Sequence, residues 1–530
     1  MSRPSLILQQ VTNRLNARKP PLQLERIVVA LTLALYAALL IYLIPRHEPW
    51  ADEAQAWELA TSLNLKSLFG TYIHYECSPG LWHFLLWLLA RLHVTYYGMH
   101  WFAGAVALVS MAILMLKAPF PLAVRILLPF TFFFAFQYAV VARSYVLFPA
   151  ILFALATLWP MRQEHPIALS VLLGLLANVA LHGCVVAIAL GLVLAIEWYS
   201  IRNFDKQHWR RWLASVALFV GMLGFALWCL VPPPDAGWLV LARQMPSSIG
   251  TDGGGNHHWI QTLPFHVKVV LSTLIRFAYV LRRGLTNTLN WGIFAWALLL
   301  WRLGSQHRLR YTLPVIFLGI TCMYSYGSFY HAGLLWVVFL FVWWVTWPAS
   351  KIGFGKENWI EISLLLVVVL CIAIQLVWAV NAVQYDVSMS YSASRDGAMI
   401  AQRYLNQGNK VDIAVPFKAE GEGPWQYFIT GIEPYFMAEP INNKIHRFWF
   451  WGGDDDVRAK YLADSEHQAA VVVVEETAGD LGAQIEERRL EGLGYQRADT
   501  VCGQVYYPDQ SAPVICQAFY QPSSPQGRNP

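Results

Sequence analysis

Charge is what this sequence has least of. Asp, Glu, Lys and Arg make up 13% of its 530 residues, about half the share usual in a soluble chain. With 56% hydrophobic residues, 24 Trp and 28 Phe, the deficit points to lipid rather than water as the solvent. The net charge of +5 is too small to call for a nucleic-acid partner. Cysteine pairs at metal-ligand spacing are missing too. Cys77, Cys184, Cys229, Cys322 and Cys371 lie in or beside apolar runs and read as small packing residues. Cys502 and Cys516 sit in a polar C-terminal stretch, where an extracytoplasmic location would permit a disulfide. No small-residue cleavage site follows the first apolar run, Ile27 to Pro45, so it reads as a retained span.

Two regions separate by composition: 1–383, a series of apolar runs, and 384–530, which has none long enough to cross a bilayer. A crossing helix takes about 20 apolar residues. That length predicts spans at 27–45, 98–116, 122–141, 145–160, 167–182, 183–198, 213–231, 287–303, 311–326, 331–347 and 361–381, about eleven in all. Segment 79–92 would reach only about 21 Å as a helix, so it is assigned to the membrane interface. Residues 266–283 are placed there as well, because Lys268, Arg276, Arg282 and Arg283 interrupt the run.

Orientation follows from the basic residues. Arg3, Arg14, Arg18, Lys19 and Arg26 put the N-terminal segment in the cytoplasm. Alternate loops then hold Lys117 and Arg125; Arg162; Arg202, Lys206, Arg210 and Arg211; Arg302, Arg308 and Arg310; and Lys351 and Lys356. Every one of those loops is basic. The expected protein is therefore a multi-pass helical protein of the cell (inner) membrane, with an extracytoplasmic (periplasmic) C-terminal region. That region reads as an α/β domain. Helices are expected at 394–407, 454–464 and 480–491, strands at 410–417 and 469–476, then a terminal antiparallel pair and a disordered tail after Tyr520.

The candidate chemistry clusters in the loops assigned to the outer face. Asp52 and Glu53 follow the first span, where a carboxylate at the apolar boundary suits a general base. The plain alternative is that Asp52 caps a helix starting at Glu53. His74 and Glu76 precede the interfacial segment and would reach the same pocket. Arg143, with Tyr145 beside it, is a lone guanidinium on the charge-poor side, suited to a phosphate; the alternative is an arginine that snorkels. His182 and His331 sit at outward turns, as ligand-binding groups or as packing histidines. Arg276, Arg282 and Arg283 would bind either a carrier-lipid phosphate or anionic head groups. Carboxylates and arginines on one face suit transfer with a phosphate leaving group. A metal site of Asp52, His74 and Glu76 is not demanded by any spacing rule, and no cofactor or metal is assigned.

These motifs resemble those of the GT-C glycosyltransferases, the polyprenyl-phosphate-sugar-dependent group that includes protein O-mannosyltransferases and aminoarabinose transferases. Asp52-Glu53 resembles the acidic motif of the group's first extracytoplasmic loop. HYECSPGLWHFLL resembles the group's second loop motif, which opens a juxtamembrane helix, and ARSYV resembles the Arg-containing turn between the third and fourth spans. The chain departs at Cys77-Ser78-Pro79-Gly80-Leu81, where the group has a His-Pro-Pro-Leu-like stretch. It departs again at Ser144 and Tyr145, where an Asp is common. The likeness spans 27–200. It implies Asp52 as catalytic base, inversion at the anomeric centre, a polyprenyl-phosphate-linked sugar donor and a glycan, lipid or protein acceptor. A transporter or flippase and a non-catalytic scaffold are the rival readings. Neither the repeats nor the midplane charges of a transporter are evident.

Overall fold

The computed structural model describes residues 22–199, 206–234, 236, 265–286, 289–324, 328–348, 359–409, 411–413, 471–477, 481–508 and 514–523. The expectations for Arg3 to Lys19, Arg202, Lys351 and Lys356, the helix at 454–464, strand residues beyond Ile413 and the tail from 524 lie outside the described residues. The described chain is mostly helical, with a small C-terminal sheet.

The helices are α1 (Leu22–Leu43), α2 (Ala51–Ser62), α3 (Leu81–Arg91), α4 (Tyr96–Lys117), α5 (Leu122–Leu127), α6 (Leu147–Leu158), α7 (Pro166–Ala177) and α8 (Leu181–Tyr199). Then follow α9 (Lys206–Leu230), α10 (Phe265–Arg283), α11 (Leu289–Ser305), α12 (Leu313–Tyr324), α13 (Phe329–Val345), α14 (Trp359–Ser388), α15 (Ser394–Asn406) and α16 (Leu481–Gly492). Six segments among the described residues are long and apolar enough to cross a membrane: Gln23–Leu43, Tyr96–Lys117, Ser144–Met161, Leu181–Trp198, Trp209–Leu230 and Trp359–Ser388. Leu81–Arg91, Pro166–Ala177, Leu309–Tyr324 and Phe329–Val345 are apolar but shorter. At about 1.5 Å per residue, the 12-residue α7 is about 18 Å long, well short of a bilayer core.

The expected span at 122–141 is not one helix. α5 stops at Leu127, a 3-10 turn covers Leu128–Phe130, and Phe133–Gln137 forms a π turn. Pro129 has no N–H to continue the α pattern, and the Thr131 hydroxyl bonds back to the Leu128 carbonyl at 2.7 Å. Every residue from Phe132 to Ala142 is buried. Irregular backbone is tolerated inside apolar surroundings only where protein covers it, and α13 supplies that cover. α13 is apolar all round and buried along most of its length. At Gly333 an added Cβ would lie 2.1 Å from the Phe133 ring and 2.6 Å from the Tyr138 hydroxyl. The missing side chain thus lets the irregular segment pack on the helix, and the Tyr138 hydroxyl donates to the Tyr330 carbonyl at 2.5 Å.

Paired charges fix the opposite helix ends. Glu197 accepts from Arg162, Arg310 and Tyr311 at 2.8, 2.9 and 2.8 Å. Arg302 meets Glu361 at 2.5 Å, and Arg125 pairs with Glu25.

α14 runs through residues 383 and 384 and ends at Ser388, and α15 follows from Ser394 at the start of the C-terminal region. The sheet comprises β1 (Val411–Ile413), β2 (Val471–Thr477), β3 (Tyr495–Gln504) and β4 (Val514–Pro522), in the order β1-β2-β4-β3. β1 runs parallel to β2, and β4 runs antiparallel to both neighbours. Cys502 and Cys516 face each other across β3 and β4 and are joined as a disulfide. Val505 and Ile515 enter the same apolar core as the helices.

Candidate active site

α2 opens at Ala51, with Trp50 as its cap residue. Glu53, not Asp52, performs the capping, because its carboxylate accepts the Trp50 N–H at 2.8 Å. The capping role considered for Asp52 is therefore set aside. Asp52 instead forms an ion pair with Arg143, Oδ2 to Nη1 at 2.8 Å. Arg143 lies at the end of the irregular segment, just before the 3-10 turn Ser144–Val146. Its guanidinium also lies over the Tyr330 ring, 4.7 Å from the centroid.

Both residues line one cavity of about 360 Å³. Of the residues singled out in the sequence, the cavity gathers Asp52, Glu76, Arg143, Tyr145, His182 and His331. The two histidine rings stack with centroids 4.6 Å apart, and His331 Nε2 lies 2.7 Å from the Tyr145 hydroxyl. The cavity lining thus presents a guanidinium, a phenol and two imidazoles. The same lining presents the carboxylates of Asp52 and Glu76.

Glu76 accepts from Gln55 Nε2 at 2.7 Å. Burial, reinforced by Asp52, outweighs that bond and the attraction of Arg143, and lifts the Glu76 carboxyl to about 7. His83, also in the wall, is pushed by burial down to about 4 and is a neutral imidazole near pH 7. The loop between them turns sharply. Cys77 and Gly80 both have positive φ, and a Cβ at Gly80 would lie 2.5 Å from the Phe69 ring.

The other expected site residues go elsewhere. Glu53 does not face the cavity and is fully buried behind it. His74 turns away, its Nδ1 lying 3.1 Å from the Val231 carbonyl and its ring against Trp228. Arg276, Arg282 and Arg283, on α10, are not in the wall either. Arg276 is exposed, Arg282 lies over the Tyr279 ring, and Arg283 lies over the rings of Tyr279 and Phe329. Among the described residues no group of three or more His, Cys, Asp or Glu is gathered as metal ligands.

Gln55 and His83 were not anticipated from sequence. Gln55 had a readable signal, since it lies three residues after Asp52 and so on the same helix face. His83 had none beyond being ionisable in an apolar stretch.

A second hollow of about 630 Å³ adjoins the first and is almost wholly apolar. Phe69, Leu81, Phe84, Leu218, Met222 and Phe225 are among its lining residues. Cys77, Ser78, Ala180, Leu181 and His182 line the first, and their chain neighbours Gly80, Leu81 and Asn178 line the second. The chain matches no described protein family, no curated protein and no solved structure.

Proposed function

We propose that this chain is a membrane-embedded inverting glycosyltransferase that takes a sugar from a polyprenyl-phosphate donor and passes it to an extracytoplasmic acceptor. The observation that carries the reading is the Asp52–Arg143 pair in one cavity, beside an apolar groove. The reading includes about eleven crossings, a cytoplasmic N-terminus and an outer C-terminal region, for which the basic-loop bias is the support.

The chemistry follows from the groups lining the cavity. The acceptor hydroxyl oxygen forms a bond to the anomeric carbon while the bond from that carbon to the phosphate oxygen breaks. The phosphate leaves with the electron pair, and the hydroxyl proton passes to the Asp52 carboxylate. Arg143 offers a forked guanidinium to the phosphate, with the Tyr145 hydroxyl and the His182–His331 stack alongside. Donor phosphate competes with Asp52 for the same guanidinium, so donor binding would part the ion pair and free the carboxylate for the acceptor. The polyprenyl chain has an apolar place in the adjoining groove. Arg276, Arg282 and Arg283 have no part in this reading.

Asp52→Asn tests it, in complementation or in transfer from a polyprenyl-phosphate sugar. Loss of transfer by about 100-fold or more is expected for removal of a general base. Activity like that of the unaltered chain would remove Asp52 from the reaction.

A further inference from the structure

Behind the cavity, a chain of buried polar groups joins both members of the ion pair to the start of the C-terminal region. Glu53 is its centre. Oε1 of Glu53 accepts the Ala142 N–H at 2.5 Å and lies 3.0 Å from His100 Nε2. Oε2 accepts the Trp50 N–H at 2.8 Å and lies 3.6 Å from His47 Nε2. Trp50 stands two residues before Asp52, and Ala142 stands next to Arg143. One carboxylate therefore sets the backbone on both sides of the Asp52–Arg143 pair.

His47 carries the chain onward. Its Nδ1 lies 2.8 Å from Asp386 Oδ1, near the end of α14. The neighbouring Glu48 accepts the backbone N–H groups of Ser392 at 3.0 Å, of Ala393 at 2.9 Å and of Arg395, where α15 begins. Arg395 in turn donates to the His47 carbonyl at 2.9 Å. His47, Glu53, His100 and Asp386 are all at least nine-tenths buried. Withdrawing so many ionisable groups from water costs stability unless each is paired in good geometry, and a packed apolar cluster would cost less. Such a network makes sense where it fixes position.

We infer that Asp386 is a positioning residue of the cavity, acting through His47 and Glu53 on the two turns that carry Asp52 and Arg143. The start of the C-terminal region and the cavity then hold one geometry together. The kinetic consequence rests on the transferase reading; the cavity geometry does not. His47 also supplies a signature of its own. Burial works against an imidazolium, but Asp386 and Glu53 outweigh it and push His47 up to about 10. Its positive charge is therefore present below that pH and lost above it.

The test uses the full chain in lipid nanodiscs as wild type, Asp386→Asn and Asp386→Glu, with Glu361→Gln at the distant Arg302 pair as control. Nitrogen NMR of the imidazole rings reads His47, and labelling of Cys77 in the cavity wall by a small methanethiosulfonate reads cavity geometry without any need for activity. Asp386→Asn is expected to let His47 deprotonate at lower pH and to change the Cys77 labelling rate about fivefold or more, while Asp386→Glu and Glu361→Gln stay within about twofold of wild type. In transfer, Asp386→Asn lowers kcat about tenfold with donor KM within about threefold. Should Asp386→Asn fail to fold, His47→Gln reads the same labelling. If the His47 ring changes state and Cys77 labelling stays within about twofold, or if Glu361→Gln alters it equally, the positioning role is overturned. A wild-type chain that transfers no sugar counts against the transferase reading alone, because the labelling result still decides this inference.

Discussion

At the scale of residues, the two carboxylates of the cavity differ by environment. Asp52 faces a guanidinium at 2.8 Å. Glu76 accepts from the neutral Gln55 amide and is held near 7 by burial. Glu76 is therefore mostly neutral below that pH and anionic above it. Ionised, it would put a second negative charge into a cavity that must admit a phosphate. Donor KM should accordingly rise as pH passes about 7, and Glu76→Gln should remove that rise while leaving the low-pH KM within about twofold. A KM that climbs equally in both would assign the limb to another group. The sign for stability is the same: a carboxyl raised above its unfolded value favours the fold at low pH, and that advantage is lost as pH climbs through about 7. Arg143→Lys is expected to raise donor KM about tenfold, since an ammonium cannot reproduce the fork; an unchanged KM would show that the fork is not used.

Some of this was legible in the residues and some was not, for geometric reasons. A carboxylate after the first apolar run and a lone arginine on the charge-poor side could be read directly. Glu53 could not share the role of Asp52, because neighbours on a helix point about 100° apart. His74 and Glu76, two apart on a helical turn, likewise face different ways. The positions of Arg276, Arg282 and Arg283 depend on how α10 packs, which no local pattern states.

At the scale of elements, long apolar periodicity located most helices well, and the terminal strand pair appeared in register. The expectation failed where apolar character and helicity part company. Residues 122–141 are apolar throughout most of their length, yet Pro129 and the packing of α13 break them into turns. That break delivers Arg143 to the cavity. The 77–80 turn matters in the same way, since it directs Glu76 inward and starts α3. Gly80→Ala would impose a left-handed conformation on an L-residue and crowd Phe69. Destabilisation of about 1–2 kcal/mol is expected, read as a lower thermal midpoint in detergent. An unchanged midpoint would contradict the turn as described.

At the scale of the whole molecule, apolar composition announced a membrane protein, and six helices of sufficient length and apolarity agree with it. The joint between the helices and the C-terminal region was not legible, because Glu48, Asp386 and Arg395 are ordinary charges in sequence and meet only in the fold. The Cys502–Cys516 disulfide bears on which side the sheet occupies. Such bonds persist outside the reducing cytosol, so the pair should resist alkylation in intact cells until a reductant is added. Free thiols there would argue for the opposite orientation.

The central proposition is that Arg143 and its neighbours hold a lipid-borne phosphate. Binding of a short-chain polyprenyl monophosphate to the purified chain, by native mass spectrometry, measures this directly. The expected result is affinity weakened about tenfold or more in Arg143→Ala, with Arg276→Ala like wild type. Equal binding by wild type and Arg143→Ala would contradict the account.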